Sequence, residues 1–218
     1  LEIHDPDGVR EYLRNSIDAL KETTGKHTLY GTPQYTEIMY EVGAYPIMNF
    51  TRTRCEGVEN LFADVMKREF WVKNVACFAC PVACAQYCRV KAGRYEGVVD
   101  RPEYETTWSL GAHCGVFDLN VVISAVHICN EYGMDAMSAG YVVGFAMELY
   151  ERGVIDKGDT GGLELRFGNG DAELELLEAM GERRGLGDTL AEGAMRASAK
   201  IGRGAERYAL HVKGMELP

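Results

Sequence analysis

The sequence predicts a mainly α protein, a multi-helical domain of about eight helices with one or two short terminal strands. Three observations predict it. Polar or proline-bearing start signals recur, apolar residues between them return every three or four positions, and glycines close the runs. No repeat and no low-complexity tract interrupts this pattern.

Asp5-Pro6 opens the first helix as N-cap and first-turn proline, and Val9, Tyr12, Leu13, Ile17 and Leu20 share one face. Thr32-Pro33 repeats the device before Tyr35, Ile38, Met39 and Val42, and Gly43 ends that helix. Residues 46–54 read as loop, and Val58 to Phe70 is periodic enough for a third helix. A cysteine-rich segment follows, then a polar connection from Lys91 to Asp100. Arg101-Pro102-Glu103 starts a helix running to about Gly111. Asp118 caps one from Leu119 to Tyr132, closed by Gly133. Ser138 to Arg152 is strongly apolar and stops at Gly153. Asp171 begins another helix at Ala172, and Asp188 another near Thr189 to Ile201. Tyr208 to Val212 reads as a strand.

With 218 residues, 46% of them hydrophobic, the chain can bury a substantial core. No run approaches the eighteen apolar residues of a membrane span, and no signal peptide opens the chain. Seven cysteines without framework spacing point to a reducing compartment, hence a cytoplasmic location. A net charge of −10 without a cationic stripe argues against a nucleic-acid partner. The chain begins at Leu1 and stops at Pro218, directly after a strand-like run, and reads as a segment of a longer protein.

Three thiols lie within eight residues, Cys77-Phe78-Ala79-Cys80-Pro81-Val82-Ala83-Cys84. The spacing suits an iron–sulfur cluster. Cys80 is then the expected N-cap of a helix with Pro81 at its first position, its positive end facing the sulfurs. Positions 77, 80, 84 and 88 also follow the rhythm of a buried helix stripe, so simple packing of cysteines stays open. On such a helix Cys88 lies roughly 12 Å beyond Cys80, too far to grip the same cluster. Structural zinc needs a second ligand pair, and none stands at a sensible spacing. Cys55, Cys114 and Cys129 are scattered singly and read as core or incidental thiols.

Other candidates have bland explanations beside the functional ones. Glu103 and Glu105 sit in a first helical turn, where carboxylates are favoured anyway. Asn130-Glu131-Tyr132-Gly133-Met134-Asp135 is a helix end with a glycine cap, and equally a set of amide and carboxylate groups suited to a heterocycle. Residues 168–171 and 185–188 are turn-then-cap signals without the Lys-Ser/Thr of a phosphate loop. His113 and His127 occupy apolar helical surroundings and read as core residues, and no nucleophile triad is spaced in the sequence.

Taken in order, Cys77-x2-Cys80-x3-Cys84, Pro102-Glu103-Tyr104-Glu105-Thr106, Asn130-x-x-Gly133-Met134-Asp135 and residues 211–218, His-Val-Lys-Gly-Met-Glu-Leu-Pro, resemble the tungsten-containing aldehyde ferredoxin oxidoreductase family. The resemblance covers nearly the whole chain, as the middle, mainly helical portion of that enzyme. It implies that Cys77, Cys80 and Cys84 are three of four ligands to a [4Fe-4S] cluster. It implies Glu105 beside the tungsten as a general acid/base, and Asn130, Gly133 and Asp135 against a pterin of a tungsten (or molybdenum) bis-molybdopterin. Residues 1–218 would be one helical segment carrying part of each site, inactive alone, and completed by the remaining N- and C-terminal portions of the enzyme. An aldehyde would be oxidised to a carboxylate, with ferredoxin as electron acceptor; a homodimer is allowed. Two positions depart from the family pattern: Asn130 replaces an aspartate and Met134 a leucine.

Alternatives from other classes are a small electron-carrier module with its cluster completed by Cys88, and a helical scaffold whose cysteines only pack. Relatives of the family also reduce aromatic thioesters. Substrate, metal and oligomeric state are left open by the sequence.

Overall fold

The computed structural model describes residues 2–217; Leu1 and Pro218 lie outside the described residues. The fold is mainly α, as expected, with a small sheet in the middle of the chain. Helix α1 (Pro6–Thr23) begins where the Asp5 side chain accepts the Gly8 N–H at 2.9 Å, and none of its residues is buried. Helix α2 (Gly25–Tyr30) follows, then a 3-10 turn at Thr32–Gln34 and α3 (Tyr35–Glu41).

The single helix expected from Val58 to Phe70 is broken into a 3-10 turn at Val58–Leu61, the short α4 (Ala63–Val65) and a π turn at Met66–Phe70. Phe62 between the first two pieces is extended, and Val58, Leu61, Ala63, Met66 and Phe70 are all buried. No single helical stripe accommodates that set, so burial overrides propensity.

The helix expected at Pro81 does not form. Instead β1 (Trp71–Val75) pairs antiparallel with β2 (Ala85–Arg89), which pairs antiparallel with β3 (Val99–Asp100). The three thiols lie on the connection between β1 and β2 or at its edge. Ala79 and Ala83 take left-handed backbone angles there, with φ of 57° and 50°. Two such residues four apart interrupt any helix. The flanking residues, rich in Val, Trp and Tyr, pair as strands instead.

The second half is helical. Helix α5 (Tyr104–Ser109) has Glu103 as N-cap, with the Glu103 N–H donating to the Thr106 hydroxyl at 2.9 Å. Helices α6 (Leu119–Tyr132) and α7 (Ala136–Glu151) are capped by Asp118 and Asp135. Asn169, not Asp171, caps α8 (Gly170–Gly181), its side chain accepting the Ala172 N–H. The last expected helix is two, α9 (Leu186–Leu190) and α10 (Ala194–Ile201), parted at Gly193 with φ of 85°. The terminal strand appears as β4 (His211–Val212), and it pairs with β5 (Met215–Glu216). Among the described residues no single helix is long and apolar enough to cross a membrane.

Two hydrophobic clusters hold these elements. One centres on α6, α7 and α8, with Tyr141, Phe145 and Leu177 buried. The other joins Tyr45, Ile47 and Leu61 to Trp108, Val122 and Cys88. Each large side chain so buried stabilises the fold by about 1.5–3 kcal/mol. The clusters fix β2 against α6 and so set the cysteine loop beside the N-terminus of α5.

Candidate functional site

The seven cysteines separate into two populations. Cys88, Cys114 and Cys129 are buried within the hydrophobic clusters, and Cys55 packs against one. Cys77 is exposed, while Cys80 and Cys84 are half-buried and belong to neither cluster. The Cys80 N–H donates to the Cys77 carbonyl at 3.0 Å, tightening the loop. Burial pushes the Cys84 thiol above its ordinary range, and the Glu103 carboxylate, Cys80 and Cys77 raise it further. The trio and Glu103 are therefore electrostatic neighbours. Cys88 is held up at about 12 by burial and feels Lys67 rather than the trio. No group of His, Cys, Asp and Glu converges on a single ion among the described residues. A cluster, by contrast, spreads its thiolates around a cube of iron and sulfide, and three soft donors outside the apolar core fit that need.

Glu103 and Glu105 diverge. Glu103 is half-buried, accepts the Thr32 hydroxyl at 2.6 Å, and has its carboxyl pushed up by burial. Thr32 also accepts the Tyr104 N–H at 2.9 Å, so one hydroxyl orders the whole start of α5. Glu105 is exposed in the first turn, near enough to Glu103 to raise its pKa. Sequence reasoning treated the pair together and missed the inward role of Glu103; its spacing to Thr106 was the available signal.

The Asn130–Asp135 block forms the junction of α6 and α7. Gly133 sits at φ of 66° as C-cap, and the Met134 N–H reaches back to the Cys129 carbonyl at 2.8 Å. Asp135 accepts the Ser138 N–H at 2.7 Å. Asn130 donates to Asp100 at 2.9 Å, and His127 pairs with the same carboxylate at 3.3 Å. His127 is thus half-exposed and partnered rather than a core residue, whereas His113 is fully buried against Tyr141.

Gly133 and Asp135 line a cavity of about 480 Å³ together with Ser138, Gly193, Gly214 and Glu216. The third and fourth sequence blocks, some eighty residues apart, meet there. Its size suits a small organic cofactor, and its lining offers backbone and carboxylate partners. Asn130, Glu105 and the three cysteines do not line it.

The family model for aldehyde ferredoxin oxidoreductase, domains 2 and 3, matches residues 9–218. A tungsten-containing aldehyde ferredoxin oxidoreductase of Pyrococcus abyssi is 38% identical over the whole chain. The WOR-like subunit of an aliphatic sulfonate oxidoreductase of Pyrococcus furiosus is 31% identical over 98% of it. The chain spans about a third of these relatives, 36% and 35% of their lengths. The fold is shared with the active site complex BamBC of benzoyl coenzyme A reductase, solved with 1,5-dienoyl-CoA. That match has a TM-score of 0.72 at 23% identity, over 94% of this chain and 33% of that one. A family model that matches residues 9–218 and a relative 38% identical over the whole chain mean that the chain belongs to the aldehyde ferredoxin oxidoreductase family.

Proposed function

We propose that this chain is the helical part of a tungsten (or molybdenum) bis-pterin enzyme of the cytoplasm. It oxidises an aldehyde to a carboxylate and passes the electrons through a [4Fe-4S] cluster to ferredoxin. The observation that carries this reading is the placement of Cys77, Cys80 and Cys84 on one hairpin loop, outside both cores. Packing alone gives these thiols no reason to be there. The core position of Cys88 removes the fourth ligand that a self-contained carrier module needs. The remaining N- and C-terminal portions of the enzyme supply that ligand and the rest of the pterin site.

When bound, the metal–pterin centre supplies the two-electron oxidation. The chain's own residues hold and tune. Cys77, Cys80 and Cys84 anchor the cluster. Gly133 and Asp135 border the pterin, with the cavity at the α6–α7 junction as the space available to it, and Asn130 stands at the end of α6 outside that cavity, bonded to Asp100. Glu105, exposed at the start of α5, takes or delivers a proton at the substrate oxygen, while Glu103 holds that turn in place.

The test is elemental analysis of the full-length protein purified without oxygen, with aldehyde-dependent dye reduction. Iron together with tungsten or molybdenum, and activity lost from residues 1–218 alone, are expected. A colourless, iron-free full-length protein overturns the proposal.

A further inference from the structure

The hairpin that carries the thiols differs in charge from the rest of the molecule. Residues 65–98 hold six cations, Lys67, Arg68, Lys73, Arg89, Lys91 and Arg94, against two anions, Glu69 and Glu96. The segment is net +4 in a chain of net −10. The cations are dispersed in sequence and read as no stripe; the fold brings two of them, Lys73 and Arg89, onto one face of the sheet.

Lys73 and Tyr87 are cross-strand partners, and Arg89 lies two residues on from Tyr87, so all three share the outward face of the sheet. The Lys73 ammonium lies 5.7 Å from the Tyr87 ring centre, and that of Lys67 stacks on Trp71 at 3.6 Å. Among the described residues Lys67, Lys73, Arg89 and Lys91 have no carboxylate within 4.0 Å. Lys73, Arg89 and Lys91 are exposed, so their charge faces solvent. Phe78, between two of the thiols, is 102% exposed, the most exposed of the large apolar side chains. An exposed aromatic ring on the connection of a hairpin whose strands carry unpaired cations has the composition of an interface centre and its charged rim.

We infer that the outward face of the β1–β2 hairpin, with Phe78 at its tip, is the docking surface for a small acidic electron-carrier protein. This rests on the cluster assignment above. Charge complementarity selects the partner: a cationic patch on an otherwise anionic chain attracts an acidic protein and orients it hairpin-first. The thiol loop then decides its chemistry. Cys77 is the exposed member of the trio, so a carrier seated on Phe78 brings its redox group close to the cluster. One electron moves per encounter, from reduced cluster to oxidised carrier, with no bond made or broken.

The test uses the full-length holoenzyme, purified without oxygen, with an acidic ferredoxin as probe and a duplex oligonucleotide as a second polyanion. Affinity is measured by calorimetry at low and high salt, and turnover with ferredoxin is compared with that using methyl viologen. Lys73→Glu with Arg89→Glu is expected to weaken ferredoxin binding about tenfold or more and flatten its salt dependence, with viologen-coupled turnover unchanged. The milder Lys73→Gln with Arg89→Gln falls between, and Phe78→Ala weakens binding at unchanged iron content. Ferredoxin affinity indifferent to all three variants overturns the proposal. So does equal binding of the oligonucleotide, or a hairpin protected from proteolysis by the rest of the enzyme in the absence of ferredoxin. Binding that responds to charge reversal in a protein without aldehyde turnover leaves the surface standing and removes the catalytic reading instead.

Discussion

The side-chain amide of Asn130 donates to Oδ1 of Asp100 across 2.9 Å and so ties the end of α6 to strand β3. The same oxygen accepts the Arg101 N–H at 2.8 Å, and Oδ2 pairs with His127. The junction proposed to border a pterin is thereby linked to the sheet proposed to carry the cluster. An aspartate at 130 would remove the donor and bring two carboxylates together. Asn130→Asp is expected to cost about 1 kcal/mol, modest because the amide is partly solvated. Exchanging the pair, Asp100→Asn with Asn130→Asp, recovers most of it. Urea midpoints of the four proteins in the cycle check this.

Glu173 on α8 is fully buried, and both carboxyl oxygens lack a conventional hydrogen-bond partner. Burial raises its pKa well above 4.5, with only the Cys114 thiol opposing. The folded state therefore binds a proton that the unfolded chain releases. Stability from this group is complete below the unfolded pKa and falls as pH climbs toward the folded one, by about 1.4 kcal/mol per pH unit. Glu173→Gln is expected to melt higher than the parent at pH 8 and to lose that slope between pH 5 and 8. Thermal melts across the range check it; parallel curves for parent and variant contradict it.

Much of the helical scaffold was legible because its signals are local. Asp5, Asp118 and Asp135 cap helices through their own side chains, and Gly133 ends α6 in a left-handed turn, all within four residues of chain. The cysteine loop was legible in composition but not in shape. Its helical rhythm at 77, 80, 84 and 88 conflicts with strand pairing from Trp71 and Ala85, and a partner strand is invisible to periodicity. The cavity was legible only as two separate blocks, since nothing local says that Asp135 and Glu216 line one space.

Gly140 on α7 lies where that helix meets the end of α5. A Cβ added there would stand 2.6 Å from the Ser109 carbonyl carbon and oxygen and 2.9 Å from the Leu110 nitrogen. All three are backbone and cannot rotate away. Helix propensity favours alanine by about 1 kcal/mol, and overpacking opposes it by about 1–3 kcal/mol. Gly140→Ala is expected to destabilise, by up to about 2 kcal/mol net in denaturant unfolding.

Cys88 separates packing from ligation. It is fully buried in the cluster formed with Trp108 and Val122. Serine there buries a hydroxyl in apolar surroundings and costs about 1–3 kcal/mol. Cys88→Ser is expected to lower the melting temperature while the iron content of the full-length protein stays at the parent level. Cys77→Ser, Cys80→Ser and Cys84→Ser are expected to do the reverse, losing iron with little effect on the apoprotein melt.

Glu103 and Glu105 are two residues apart and are expected to fail differently. Glu105 is exposed, so Gln in its place disturbs no packing and removes only a carboxylate able to carry a proton. Glu105→Gln in the full-length enzyme is expected to lower turnover by about 10²–10⁴-fold at unchanged tungsten and iron content, the span typical of a lost general acid/base. Glu103 accepts the Thr32 hydroxyl, which in turn holds the Tyr104 N–H. Gln at 103 can still accept from Thr32, whereas Ala cannot. Glu103→Ala is expected to loosen the start of α5 and destabilise the protein by about 1–2 kcal/mol, with Glu103→Gln restoring most of that stability. Loss of metal in Glu105→Gln at normal stability would make Glu105 a structural rather than a proton-carrying residue.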